Sequence, residues 1–357
     1  MTSNPLSPPQ TPATLWYTRC PVPTASGIAI QNGWLGEEFA RDGIQVRSLR
    51  TASERAIRES HFTHTLENSF RQGGNGPALY ARSQGQDTVL LGLHWSTQYQ
   101  GLLAGPGAGI ASLADLRGKR LALPRRLHDK IDFWRSISLQ GYASALALAG
   151  LTLADVQLVE LPVAASFVDH RPHVSGDTQR AAGLLRQHQA ETVALLRGEV
   201  DVIFGHSVWG VALREQFDLR EVINLASHDD PLVRINNGQP KTLTVSAGLL
   251  RERPDLVDRY VAQVVRAADW ARANEDAARR LLARETGSAE AWLDEGTGPG
   301  ATAHLDIDLD DALLDALARR KDFLLHWGFI PNDIDVRAWA DPGPLTRARA
   351  LLKERKA

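Results

Sequence analysis

The chain of 357 residues holds a single cysteine, Cys20, in the run YTRCPVP at 17–23. A cysteine reacts only as its thiolate, and a free one with no such role is usually a small buried hydrophobe. His61 and His64 stand three apart in HFTH, a spacing that puts both on one face of a helix and would suit two metal ligands. No acidic residue or third histidine lies at a matching local spacing, so no metal is expected. Arg71 precedes a glycine pair in RQGG at 71–74. A guanidinium fork pairs with two oxygens of an anion at once, and adjacent glycines let backbone N–H groups come close to them. A lone arginine is otherwise a surface residue, and two glycines otherwise mark a turn, so RQGG reads as a loop. Phe133, Trp134 and Trp209 are either core residues or the wall of an aromatic pocket.

Such residues need elements to position them, and the chain's periodicities supply these. Short apolar segments alternate with helical ones, the pattern of an α/β fold with a mainly parallel sheet. Residues 14–18 (TLWYT) read as the first strand, so Cys20 follows it directly. In open α/β sheets, ligands sit beyond the carboxyl ends of the strands. A helix is expected over 25–41, stopped by Asp42 and Gly43, and further strands at 44–49, 88–95, 101–104, 156–161, 201–205 and 221–225. Residues 112–124 (SLADLRGKRLALP) combine a Ser-capped short helix with a strand. Residues 242–250 read as a strand running into a turn. From Pro254 the three- and four-residue spacing of Leu256, Val257, Tyr260, Val261, Val264 and Val265 marks the strongest helix in the chain.

Composition narrows the function. Hydrophobic residues are 43% and charged residues 23%, and the net charge of −2 offers no surplus to neutralise phosphates, which argues against nucleic acid. No run of about 18 apolar residues exists to span a membrane. Residues 1–13 carry four prolines and lack a basic start and an apolar run, so they read as a flexible Pro-rich tail, and the protein is expected in the cytoplasm.

Two stretches, SLADLRGKRLALP and the helical run over 251–287, resemble the nitrate, sulfonate and taurine class of substrate-binding proteins. A more specific similarity is to the 2′-hydroxybiphenyl-2-sulfinate desulfinase family, cytoplasmic enzymes on that fold. YTRCPVP resembles the segment with that family's nucleophilic cysteine. HFT at 61–63 followed by RQGGNGPAL at 71–79 resembles its histidine, arginine and glycine segment. TVSAGLLRERPDLVDRYV and WARAN, within 244–274, are similar in order and spacing. The second lobe matches only loosely.

The resemblance implies a two-lobed, periplasmic-binding-protein-like (type II) α/β fold, each lobe a mainly parallel sheet flanked by helices, with the ligand cleft between them. Lobe I would combine 14–115 with 235–357, and lobe II would be the inserted 116–234. Carried over, the resemblance implies Cys20, His61 and Arg71 as the catalytic set, Gly73 and Gly74 as N–H donors, and Phe62 as pocket wall. Trp134 and Trp209 are the candidates for substrate contact from lobe II. Arg19 stands where the family has an amide residue and Leu66 where it has a glutamine; both changes are expected to touch the pocket.

The activity so implied is release of sulfite from a small aromatic sulfinate, by a monomer needing neither metal nor organic cofactor. Cys20 would either attack sulfur as a thiolate or protonate the ring carbon as an acid. The rival is a non-catalytic binding protein for a sulfonate or similar anion, which has a use for Arg71 but none for Cys20.

Overall fold

Ten strands form two five-stranded sheets in the computed structural model, which describes residues 11–169 and 188–355; most of the Pro-rich tail lies outside the described residues. In chain order they are β1 (Thr14–Arg19), β2 (Gln45–Ser48), β3 (Ser69–Gly73), β4 (Thr88–His94), β5 (Gln100–Ala104), β6 (Arg120–Arg126), β7 (Gln157–Val163), β8 (Val202–His206), β9 (Arg220–Asn224) and β10 (Lys241–Ser246). The first sheet has the order β2-β1-β3-β10-β4 and the second β7-β6-β8-β5-β9.

Each sheet contains one reversed strand. β10 runs antiparallel to both β3 and β4, and β5 antiparallel to both β8 and β9, while β1 is parallel to β2 and β3, and β6 to β7 and β8. The reversed strands are those the chain enters on crossing from one sheet to the other, through 95–99 into β5 and through 236–240 into β10. The crossings therefore lie beside the carboxyl ends of the other strands. The strand at Gln100–Ala104 pairs in the second sheet, whereas the sequence reading counted it within 14–115 of the first lobe. The short helix and strand at 112–124 look like an entrance to the second lobe, but the chain is already inside it.

Local chemistry explains the other departures. The helix expected over 25–41 is two, Ala25–Gln31 and Trp34–Ala40, broken at Asn32 and Gly33. Arg71 lies on β3, not in a loop: its neighbours Phe70 and Gln72 are buried too, so the alternation that marks a half-exposed strand is missing.

The helix Pro254–Ala273 starts with proline at its first turn and buries Leu256, Val257, Val261 and Val264 against the first sheet. Its Tyr260 ring stacks on Phe70 of β3 at 3.7 Å. Each such fully buried apolar side chain contributes about 1.5–3 kcal/mol. A second core beneath the other sheet gathers Leu121, Tyr142, Leu146, Val202 and Phe204. Among the described residues, no helix is long and apolar enough to cross a membrane.

Candidate active site

Between the carboxyl ends of the two sheets lies a cavity, the usual place for a ligand in open α/β folds. Cys20, Pro21 and Val22 line it from the turn after β1, Gly74 from the turn after β3 and Pro77 from the helix that follows. Phe133, Trp134, Phe167 and Trp209 face them from the second lobe.

Arg71 is 1% exposed and spreads its fork over three partners: Nε donates to the His61 carbonyl at 3.2 Å, Nη1 to the Gly74 carbonyl at 2.8 Å, and Nη2 points at Cys20 Sγ from 3.6 Å. No carboxylate among the described residues pairs with it. Burial lowers its pKa and the sulfur works in the opposite direction. A buried guanidinium facing only carbonyls and a thiol is a site for negative charge.

His61, at the end of the helix Arg55–Thr63, shares a 2.7 Å hydrogen bond between Nδ1 and Thr18 Oγ1 of β1. Its ring stacks on Phe167 of the other lobe, 5.0 Å between centroids. Burial first, then the charges of Arg71 and Arg50, hold its pKa well below the ordinary imidazole value, so it is neutral at neutral pH. His64 does not join it. That ring is buried behind β3, with Nε2 3.2 Å from the Ser69 carbonyl and Nδ1 3.5 Å from Thr244 Oγ1, so the pair shares no ligand position.

The glycines divide their work. A Cβ on Gly73 would lie 2.5 Å from Cys20 Sγ, and one on Gly74 2.2 Å from Asn237 Nδ2. Asn237, from the second crossing, caps the helix Asn75–Ser83 by accepting from the Gly76 N–H at 2.8 Å. Gly74 lines the cavity, while Gly73 sits behind the cysteine.

Phe62 is not on the wall. It packs against Phe133 at 5.9 Å and Phe167 at 5.8 Å, backing rings that are. Trp134 and Trp209 do line the cavity, as does Phe133. The two departures from the family pattern lie elsewhere. Arg19 turns away from the cavity to form a buried ion pair with Glu285, its Nη2 2.9 Å from Oε2, and Leu66 borders a separate surface cleft. The expectation that both changes touch the pocket is corrected on that geometry.

Sequence reasoning missed Gln98, Phe167, His206, Ser207, Asn237 and Lys241. Ser207 is 1% exposed with an unpartnered Oγ and a left-handed backbone, φ 57°, a conformation costing a non-glycine residue about 1–3 kcal/mol. It opens the helix Ser207–Phe217, whose N-cap, His206, makes no side-chain cap. Burial, then His188 and Lys241, push the His206 pKa down to about 3. The missed signal was available: His206 and Ser207 follow the apolar run DVIFG as Cys20 follows TLWYT. Phe167 has no comparable signal. Lys241 opens β10, its Nζ donating to Ser96 Oγ at 2.6 Å and to the Gly238 carbonyl at 3.3 Å.

No protein-family model matches the chain. It is 28% identical over 350 residues to the 2′-hydroxybiphenyl-2-sulfinate desulfinase of Rhodococcus erythropolis, covering 92% of each chain. The crystal structure of the desulfurization enzyme DSZB superposes with a TM-score of 0.73 at 26% identity, over 95% of this chain and 99% of that one. A DSZB mutant with a cysteine replaced by serine, in complex with biphenyl-2-sulfinic acid, gives 0.69 at 25% identity over 94% and 99%. The periplasmic aliphatic sulphonate binding protein SsuA from Escherichia coli, 16% identical over 92% and 98%, gives 0.64 and shares the fold. The chain is similar to the 2′-hydroxybiphenyl-2-sulfinate desulfinases along 92% of its length and shares the fold of the sulfonate-binding proteins.

Proposed function

We propose that this protein is an aryl sulfinate desulfinase that cleaves the carbon–sulfur bond of 2′-hydroxybiphenyl-2-sulfinate or a related aromatic sulfinate and releases sulfite. The observation that carries this reading is the Arg71 guanidinium, buried without a carboxylate behind Cys20 and 3.6 Å from its Sγ, where Cys20 itself lines a cavity walled by four aromatic rings. A sulfinate has two oxygens on sulfur for the fork, and an aryl group for the rings of Phe133, Trp134, Phe167 and Trp209. His61 stacked across the lobes keeps water from the reacting groups, which strengthens the guanidinium contact.

In the first route, the Cys20 thiolate attacks sulfur, the carbon–sulfur electron pair stays with the ring and takes a proton, and a sulfur–sulfur bond to Cys20 forms. Water then cleaves that bond, returning the thiol and hydrogen sulfite. In the second, the thiol protonates the ring carbon and sulfur dioxide leaves to be hydrated. A neutral His61 is not a standing acid, and its lowered pKa makes it a weak base, so it suits at most a relay for the cysteine proton. An enzyme that needs its one thiol reduced fits the cytoplasm. A solute-binding protein would need the arginine and the rings but not a sulfur beside them.

The test is sulfite release from 2′-hydroxybiphenyl-2-sulfinate by the wild type and by Cys20→Ser. Turnover lost in the variant while substrate still binds supports the reading; equal turnover, or binding without turnover in the wild type, refutes it. A quenched-flow mass spectrum with sulfur dioxide added to Cys20 distinguishes attack at sulfur from ring protonation.

A further inference from the structure

Lys241 is 1% exposed, lines the same cavity as Cys20, and has no carboxylate partner among the described residues. Its two hydrogen bonds go to Ser96 of the first crossing and Gly238 of the second, leaving one of three ammonium protons without a partner in that set. A buried ammonium with only neutral partners is costly unless an anion completes the site. We infer that Lys241 is a second cationic ligand for the substrate, acting with Arg71 on the anionic group that Cys20 attacks. The inference rests on the reading that the cavity takes an aryl sulfinate.

Charge balance supports it. A Cys20 thiolate and a sulfinate together carry two negative charges into a desolvated space, and like charges at that range repel strongly. Arg71 compensates one of them and Lys241 the other. The remaining titratable groups coupled to the ammonium are Cys20, which stabilises it, and His94 and His206, both held neutral by burial. Burial pushes Lys241 down to about 7, with the thiolate working the other way. A plain structural role is the alternative: the same two hydrogen bonds make Lys241 a strut between the crossings.

The experiment compares alkylation of Cys20 by iodoacetate, an anion, and by iodoacetamide, its neutral counterpart, at about pH 6. The ratio of the two rates cancels the thiolate fraction and reports the charge around the sulfur. Lys241→Met is expected to lower the ratio about tenfold, while Ser96→Ala, which removes the strut and keeps the charge, leaves it near the wild-type value. A folded Lys241→Met with the wild-type ratio overturns the inference, as does Ser96→Ala falling as far as Lys241→Met. If Lys241→Met does not fold, Lys241→Gln serves in its place, and a folded Lys241→Gln with the wild-type ratio overturns the inference. The ratio needs no turnover. A Lys241-dependent ratio in a protein that releases no sulfite would remove the desulfinase reading and leave the anion site; sulfite release with an independent ratio would do the reverse.

Discussion

Gly73 and Cys20 are packed so closely that a methyl group on the glycine would lie 2.5 Å from the sulfur and 2.8 Å from the cysteine Cβ. The contact follows from register. β1 and β3 pair in parallel with Arg19 opposite Gln72, and the Cys20 N–H donates to the Gln72 carbonyl at 3.2 Å, so the next residue of β3 falls against the cysteine. Gly73 also has φ 153°, which side chains rarely adopt.

Gly73→Ala therefore displaces the Cys20 sulfur without touching its chemistry. A displacement near 1 Å costs about 100-fold in rate, so kcat/KM for sulfite release is expected to fall at least that far. Overpacking adds a stability loss of about 1–3 kcal/mol, read by urea unfolding. Wild-type kinetics in the alanine variant would show that this contact does not place the sulfur.

Phe62 offers a contrast between wall and backing. It is 1% exposed and reaches the cavity through His61, Phe133 and Phe167. Phe62→Ala is expected to cost about 3–5 kcal/mol of stability. Phe62→Leu, which keeps most of the volume, should leave the KM for an aryl sulfinate near the wild-type value, whereas Trp134→Leu should raise it. Equal KM effects from Phe62→Leu and Trp134→Leu would place Phe62 on the wall after all.

How much of this was legible in the sequence depends on how local the signal is. Cys20 could be placed beyond the first strand because TLWYT is a compact apolar run followed at once by prolines. The helix from Pro254 announces itself by its spacing. Arg71 was legible as an anion ligand only through resemblance, and its strand was misread because every residue of β3 is buried. Lys241 was invisible for a different reason. It belongs to the site only because β10 enters the sheet reversed, which puts its first residue beside the carboxyl ends of β3 and β4. No local pattern encodes that reversal; the topology does.

Arg19 and Glu285 test whether the family departure beside the cysteine matters for chemistry. Burial works against the Arg19 charge, and the Glu285 carboxylate more than offsets it; their side chains are 9% and 3% exposed. Breaking such a pair strands a buried charge at a cost of about 3–5 kcal/mol. Arg19→Gln is expected to lose that stability while kcat/KM of the folded protein stays near wild type, and Arg19→Gln with Glu285→Gln to recover much of the loss. A large kinetic change with little change in stability would return Arg19 to the pocket.

Acid should unfold this protein through its histidines. His61, His64, His94 and His206 are all held below the ordinary value by burial first, His64 at about 4 and His206 at about 3. The unfolded chain takes a proton at each near pH 6.5, while the folded chain does not until far lower. Below about 6.5 the unfolded state thus binds more protons, and stability falls as pH falls, by up to about 1.4 kcal/mol per pH unit for each histidine. Between pH 7 and 5 that is roughly 2 kcal/mol from each, a large share of the stability of a typical domain. Urea unfolding at the two pH values measures it. His94 is the residue to remove, because it does not line the cavity: His94→Leu deletes one of the four proton sites and should shrink the loss between pH 7 and 5 by about a quarter. A wild type equally stable at both pH values, or a His94→Leu variant with an unchanged loss, would mean that these rings reach solvent or a proton-sharing partner before the fold gives way.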